Sequence, residues 1–282
     1  MNDLIMAGLL QGLVLALVAY GVMIPLRLLN FADLTAEGAY PLGGAICATL
    51  ITMGVPPGIS LVAAILGAGL VGVATAFIHL RFHVNTLLAG IILSTMLYSV
   101  NLRFMGKPNI ALFDTPSIFA TQSNIFNLVL LVSILIALVV PLFLFLNTEF
   151  GLRLRAVGLN PTFAKSQGIN VAKYTMLGLF LGNAFTGLAG GMMVQLQNYM
   201  DINMGVGIVI HALAALMIGE CVIKNNSLRN QLLAPLVGAL LYQQIQGMAL
   251  SVGLAPSDLK LLTGGIVLSV IALRTKMVKA NI

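Results

Sequence analysis

Residues 127–147 read NLVLLVSILIALVVPLFLFLN, twenty-one positions without a charged side chain. About 20 apolar residues are enough for a helix to span the ~30 Å hydrocarbon core of a bilayer. Lipid offers the backbone no hydrogen-bond partners, so such a run folds as a helix that satisfies its own groups. Nine segments of this kind mark the chain, at roughly 4–26, 34–53, 57–78, 86–104, 125–146, 174–198, 205–222, 228–250 and 257–273. The alternation of porin strands is absent. Composition points the same way: 8% of residues are charged, against roughly 25% in soluble domains. The expectation is an all-α polytopic transmembrane helical bundle of about nine spans, one transmembrane domain over residues 1–282.

The basic residues set an orientation. With the C-terminus cytoplasmic and nine spans, the N-terminus lies outside. The inner connections then hold Arg27, Arg81, Arg153, Arg155, Lys165, Lys173, Lys224, Arg229, Arg274, Lys276 and Lys279, eleven in all, against Arg103, Lys107 and Lys260 outside. Segment 34–53 is the weak point, because LTAEGAYPLGG could start a broken or re-entrant helix and bring the N-terminus inside. The run from Leu4 to Leu26 lacks a basic flank and reads as a span, not a cleavable signal. Cys47 and Cys221 lie in or beside apolar runs, so a disulfide framework is not expected.

The longest stretch without a membrane-like run is GLRLRAVGLNPTFAKSQGINVAKYT, residues 151–175. Asn160 suits a helix cap and Pro161 the first helical position. Gly168 can take the left-handed conformation that ends a helix. A separate helix of about two turns is predicted over 161–167, with Phe163 its one large apolar side chain. It could be a knob offered to a partner's groove, or an ordinary basic loop lying at the lipid headgroups.

The pattern Arg155, Ala156, Gly158, Asn160, Pro161, Ala164, Gly168 and Ile169 closely resembles the cytoplasmic loop of bacterial ABC importer permeases of the branched-chain amino acid and ribose type. GLAGGMMV at 187–194 and ALAALMIGE at 212–220 resemble the same family. LLNFADLTAEGAYPLGGA at 28–45 is similar to the subgroup paired with tryptophan/tyrosine-type or uncharacterised binding proteins. The resemblance covers about residues 4–273 and permits eight to ten spans. It implies a single permease domain in the bacterial inner membrane with a coupling loop at about 147–173. Arg155, Gly158, Asn160, Pro161, Phe163, Ala164 and Gly168 would then form the ATPase-coupling element. It further implies cytoplasmic ABC ATPase subunits that carry the ATP, a second permease copy (a homodimer or a sister permease) and a periplasmic or lipid-anchored substrate-binding protein. The solute would be small and polar, with amino acids favoured.

Other chemistry finds no footing. A phosphate loop needs G-x-x-x-x-G-K-[ST], and the one Gly-Lys pair, Gly106-Lys107, is followed by Pro108 with Asn101 where the first glycine belongs. No zinc-protease or nucleophile-elbow motif occurs, and His79, His83 and His211 have no metal-ligand spacing. Neither a metal, a cofactor in this chain, an enzyme activity nor nucleic-acid binding is expected. The alternative is an ion-coupled secondary transporter, which calls for ionisable residues within the membrane. Glu37 is the main candidate, expected at the inner end of the pathway and paired with Arg27 or a backbone group. Asp33 reads as the cap of the second helix and His211 as a packed side chain. Two amide pairs, Gln195 with Asn198 and Gln243 with Gln246, each fall on one helix face. With Glu37 they are candidates to line the substrate pathway, although helix packing is the commoner use of such amides.

Overall fold

The computed structural model describes residues 2–119, 123–223, 227–255 and 258–280. Each of the nine apolar segments contains a helix: α1 (Asn2–Met23), α2 (Ala36–Thr52), α3 (Pro57–Phe82), α4 (Thr86–Met105), α5 (Asn124–Asn147), α8 (Val171–Gln197), α9 (Ile208–Val222), α10 (Leu228–Ser251) and α11 (Leu259–Ala280). Two more, α6 (Glu149–Leu159) and α7 (Pro161–Ser166), connect α5 to α8. An all-α polytopic bundle is thus what the chain forms. A small antiparallel ribbon, β1 (Asn109–Ala111) with β2 (Tyr199–Asp201) and Ile110 opposite Met200, ties the α4–α5 connection to the end of α8. The ribbon marks one end of the bundle and α6–α7 the other.

Six helical stretches among the described residues are long and apolar enough to cross a membrane: Leu4–Leu28, Pro57–Phe82, Thr86–Met105, Asn124–Asn147, Val171–Gln197 and Ile202–Val222. The helices α2, α10 and α11 are not among them. A helix packed inside protein need not be apolar along its whole length, and α2 and α10 show two ways of departing from the simple span. On α10, Gln243 donates to Gln11 Oε1 (2.6 Å) and Gln244 to the Ile5 carbonyl (3.0 Å), so its amides are paired with α1. The other case, α2, has 17 residues. Before it, α1 runs into a π turn at Ile24–Leu28 containing Pro25, and residues 29–35 are not helical.

This non-helical stretch sits beside the middle of α8, where backbone groups must find partners within the protein. Asp33 supplies one of them and reaches α8 as well. Its Oδ1 accepts from Thr35 N (2.8 Å) and its Oδ2 from Asn183 Nδ2 (2.8 Å), while the Thr35 and Thr75 hydroxyls pair at 2.8 Å. The start of α2 is therefore stapled to α8 and α3. The helix cap itself is Thr35, not Asp33 as the sequence suggested.

The centre of the bundle is α8, against which α2 and α3 pack, with α1 lodged between α8, α9 and α10. In α1 and α8, 83% and 78% of the apolar window is buried, against 22% and 17% in α4 and α5, which form the rim. Small residues permit the close approach. A Cβ on Gly190 would overlap the Tyr40 carbonyl oxygen, and one on Gly43 the Gly187 carbonyl, so α2 and α8 touch backbone to backbone. Tyr20, fully buried on α1, donates its hydroxyl hydrogen to the Leu232 carbonyl of α10 (2.6 Å).

Candidate functional site

At the α6–α7 end, the polypeptide builds a short helix and then fastens it to the bundle. Asn160 Oδ1 accepts from Phe163 N (3.0 Å), Pro161 occupies the first turn, and the helix runs Pro161–Ser166. Gly168, at φ +76°, reverses the chain, and Ile169 N closes on the Ala164 carbonyl (3.0 Å). Ala164 is buried whereas Phe163 is 60% exposed, so the helix seats one face and presents an aromatic ring on the other. The helix expected over 161–167 and the observed α7 differ by one residue.

The approach to that helix was not foreseen as helical. Gly151 and Gly158 suggested punctuation, yet residues 149–159 form α6. Leu154 and Val157, three apart and both buried, are the periodic signal that could have revealed it. The two glycines serve contact instead. A Cβ at Gly151 would strike the Leu146 backbone, and one at Gly158 the Leu28 carbonyl at the end of the π turn. Arg155 Nη2 donates to the Leu146 carbonyl (3.1 Å), holding α6 to the end of α5. Thus Arg155 and Gly158 position the loop, Asn160, Pro161, Ala164 and Gly168 shape α7, and Phe163 is the large apolar side chain among them that is exposed.

Beside this element, Arg27 makes a two-pronged ion pair with Glu220 on α9, Nε to Oε1 and Nη2 to Oε2, each 2.6 Å. Glu37 is not its partner. The 193-residue separation explains why no local pattern pointed to Glu220. Lys224, counted on the same side from sequence, lies outside the described residues.

Nearer the ribbon end, a recess of about 410 Å³ lies between α2, α4 and the turn at Ile202–Gly205. Glu37, Ser94, Thr95, Tyr98, Asn101 and Val206 are among its lining residues. Glu37 lies in the first turn of α2, where a helix N-terminus favours negative charge. Because α2 starts beside the middle of α8, Glu37 lies within the bundle, away from α6–α7. The backbone N–H of Gly207 is directed at its carboxylate. Asn101, buried on α4, offers Nδ2 to the Gly38 carbonyl at 3.5 Å, while its Oδ1 has no partner.

The four amides separate. Gln195 is buried and fully engaged: its Oε1 accepts from Ile118 N (3.1 Å) and its Nε2 donates to Cys47 Sγ (3.2 Å). Asn198 takes the left-handed conformation that ends α8, at φ 57°. Both line a second recess of about 280 Å³ that also includes Gln11, Asn124 and Asn127. Gln243 reaches this recess only through its bond to Gln11. Gln246, buried, donates to the Tyr242 hydroxyl (2.7 Å), which pairs with Thr263 of α11 (2.7 Å). Gln243 and Gln246 therefore turn to opposite neighbours, α1 and α11, despite their spacing. His211 packs edge-on against Tyr242, with ring centroids 5.7 Å apart.

The protein family described as branched-chain amino acid transport system, permease component, matches residues 4–272. The chain is 35% identical over 268 residues to the tyrosine transport system permease protein of Clostridioides difficile (strain R20291), which spans 95% of this chain and 90% of that protein. It is 35% identical over 271 residues to an uncharacterised protein of Rickettsia prowazekii (strain Madrid E), 94% of this chain and 95% of the other. A nucleoside ABC transporter permease protein of Lactococcus lactis is 28% identical over 196 residues, 69% of this chain and 50% of the relative. No solved structure matches. The family read from the loop motif is the family found, and the ion-coupled alternative falls with it. The chain belongs to the branched-chain amino acid transport system permease components, and is a non-enzymatic, multi-pass permease subunit of an ABC transporter.

Proposed function

We propose that this permease serves an importer in the bacterial inner membrane that takes up a small polar solute of the amino-acid class, and that α7 is the helix through which an ATPase drives it. The capped α7, with Phe163 exposed next to the exposed Leu159 of α6, carries this reading, because a fastened element that presents clustered apolar side chains suits burial by a partner. Two ATPase subunits bind at the α6–α7 end, where they bind and hydrolyse ATP. A second copy of the permease completes the pathway, and a periplasmic or lipid-anchored binding protein delivers solute at the ribbon end. All nine helices cross the membrane, α2 with the help of the extended stretch before it, which places α6–α7 in the cytoplasm and the N-terminus outside. The likeness to a tyrosine transport permease makes tyrosine the first solute to assay.

ATP closes the ATPase dimer and draws the two copies of α7 together. Gly158 against Leu28 passes that movement to the end of α1, and the Arg27–Glu220 pair passes it on to α9. Gln195 and Asn198, with Gln243 acting through Gln11, border the solute entrance, and Gln246 braces α10 against α11. Replacing Phe163 with Asp puts a charge into the ATPase contact, at a cost of about 2–4 kcal/mol. The variant should reach the membrane and lose its ATPase on purification; normal co-purification with normal solute-stimulated hydrolysis refutes the docking role.

A further inference from the structure

The recess between α2, α4 and the Ile202–Val206 segment presents more hydrogen-bond acceptors than donors. The Glu37 carboxylate faces it, and the buried Asn101 Oδ1 has no partner. Pro41 has no N–H, so the Glu37 carbonyl loses its usual helical donor. The two hydroxyls are committed as donors: Ser94 Oγ donates to the Ile91 carbonyl (2.9 Å), and Thr95 Oγ1 lies 2.8 Å from the Ile92 carbonyl and 3.0 Å from that of Ile91. What they turn to the recess is lone pairs. No basic side chain among the described residues lines it, while Val206 supplies apolar surface and Tyr98 a ring with a hydroxyl that can donate or accept. Its volume lies within the ~300–1,000 Å³ of small-molecule sites.

A buried amide oxygen left unpaired is costly unless a ligand completes it. An anion meets the negative charge of Glu37, and a neutral hydroxylated solute leaves that charge uncompensated. A primary ammonium, with three N–H donors and a positive charge, matches the lining. We propose that this recess is a solute subsite of the permease that receives the ammonium group of the transported molecule, with the Glu37 carboxylate and Asn101 Oδ1 as its principal acceptors. The proposal rests on the importer reading above. It gives the membrane subunit a selectivity of its own, for amines and amino acids over neutral or anionic solutes.

The test uses the full chain in lipid nanodiscs, with Cys47 and Cys221 replaced by Ala and one reporter, Val206→Cys. Val206 borders the recess and is 65% exposed, so its thiol is reachable. Modification rates are compared for a cationic (trimethylammonioethyl) and an anionic (sulfonatoethyl) methanethiosulfonate. The cationic reagent is expected to react faster relative to a free thiol, and Glu37→Gln should reduce that preference about tenfold, the effect of one charge worth about 1.4 kcal/mol. Glu37→Asp should keep it, which separates charge from folding. Phenethylamine should protect the thiol, and 3-phenylpropionate should not. Equal reagent rates with no protection by phenethylamine overturn the subsite. A faster anionic reagent also overturns it, since the recess then holds a basic group from a second copy. Labelling is read on the permease alone, whereas ATP hydrolysis after adding the ATPase tests the importer reading separately.

Discussion

Replacing Gly158 with Ala perturbs the seam between the coupling element and α1 without touching the surface of α7. The new Cβ would lie 2.7 Å from the Leu28 carbonyl carbon and from Leu29 Cα, and closer still to the Leu28 carbonyl oxygen. These are backbone atoms and cannot rotate away. The two segments must separate by more than the 0.7 Å that would take the carbon contacts from 2.7 Å to the 3.4 Å of ordinary contact, because the carbonyl oxygen starts closer. Overpacking of this kind costs ~1–3 kcal/mol, so the detergent-solubilised protein should melt several degrees lower. Phe163 remains exposed and Asn160 still caps α7, so the ATPase should bind and hydrolyse ATP. The movement, however, reaches α1 through a displaced contact, and solute taken up per ATP should fall. Gly54→Ala, in the connection between α2 and α3, is the control. At φ +85° it strains the backbone by ~1–2 kcal/mol, but nothing lies within 4 Å of the added atom. It should cost stability and leave coupling intact. A Gly158→Ala protein with native melting and native coupling, or a Gly54→Ala protein equally uncoupled, refutes the coupling role of this contact.

Other perturbations test the remaining contacts. Glu220→Ala strands Arg27, whose side chain is 37% exposed, so solvent screening holds the cost to about 1–3 kcal/mol. Arg27→Met with Glu220→Met should recover part of it, and thermal melts of all three variants give the coupling. Single cysteines at Ser166 and Asp114, in a protein lacking Cys47 and Cys221, should react with an impermeant reagent from opposite sides of the membrane; labelling of Ser166→Cys from outside intact cells reverses the orientation. Gln195→Leu leaves Ile118 N without its acceptor and should cost about 1–3 kcal/mol, read as a lower melting midpoint. If uptake per assembled complex is also unchanged in Gln195→Leu and in the Gln243→Leu, Gln246→Leu double variant, these amides are packing residues only.

Features fixed by neighbours in the chain were legible. Asn160-Pro161 and Gly168 specify α7 through one cap, one preset φ and one left-handed turn, all within nine residues. The apolar runs likewise located nine helices, because lipid leaves the backbone no other option. Long-range choices left no such trace. Glu37 and Glu220 both lie near a span end in sequence, and only the fold decides which meets Arg27. The i, i+3 spacing of Gln243 and Gln246 permits a common face, but α1 and α11 flank α10 and draw the two apart. Asn101 was passed over because a single Asn near the end of an apolar helix looks ordinary; its unpaired oxygen exists only once α2 and Pro41 are set against it. The ribbon was missed because three-residue strands from distant connections carry no periodicity.

The central claim is that an ATPase grips this permease at α7. A photo-crosslinking residue in place of Phe163, in cells expressing the partner subunits, tests it most directly. One dominant adduct is expected, with an ATP-binding subunit, lost when a neighbouring Asn160→Ala removes the cap. Adducts with lipid alone, with the ATPase still bound to the permease, would contradict it.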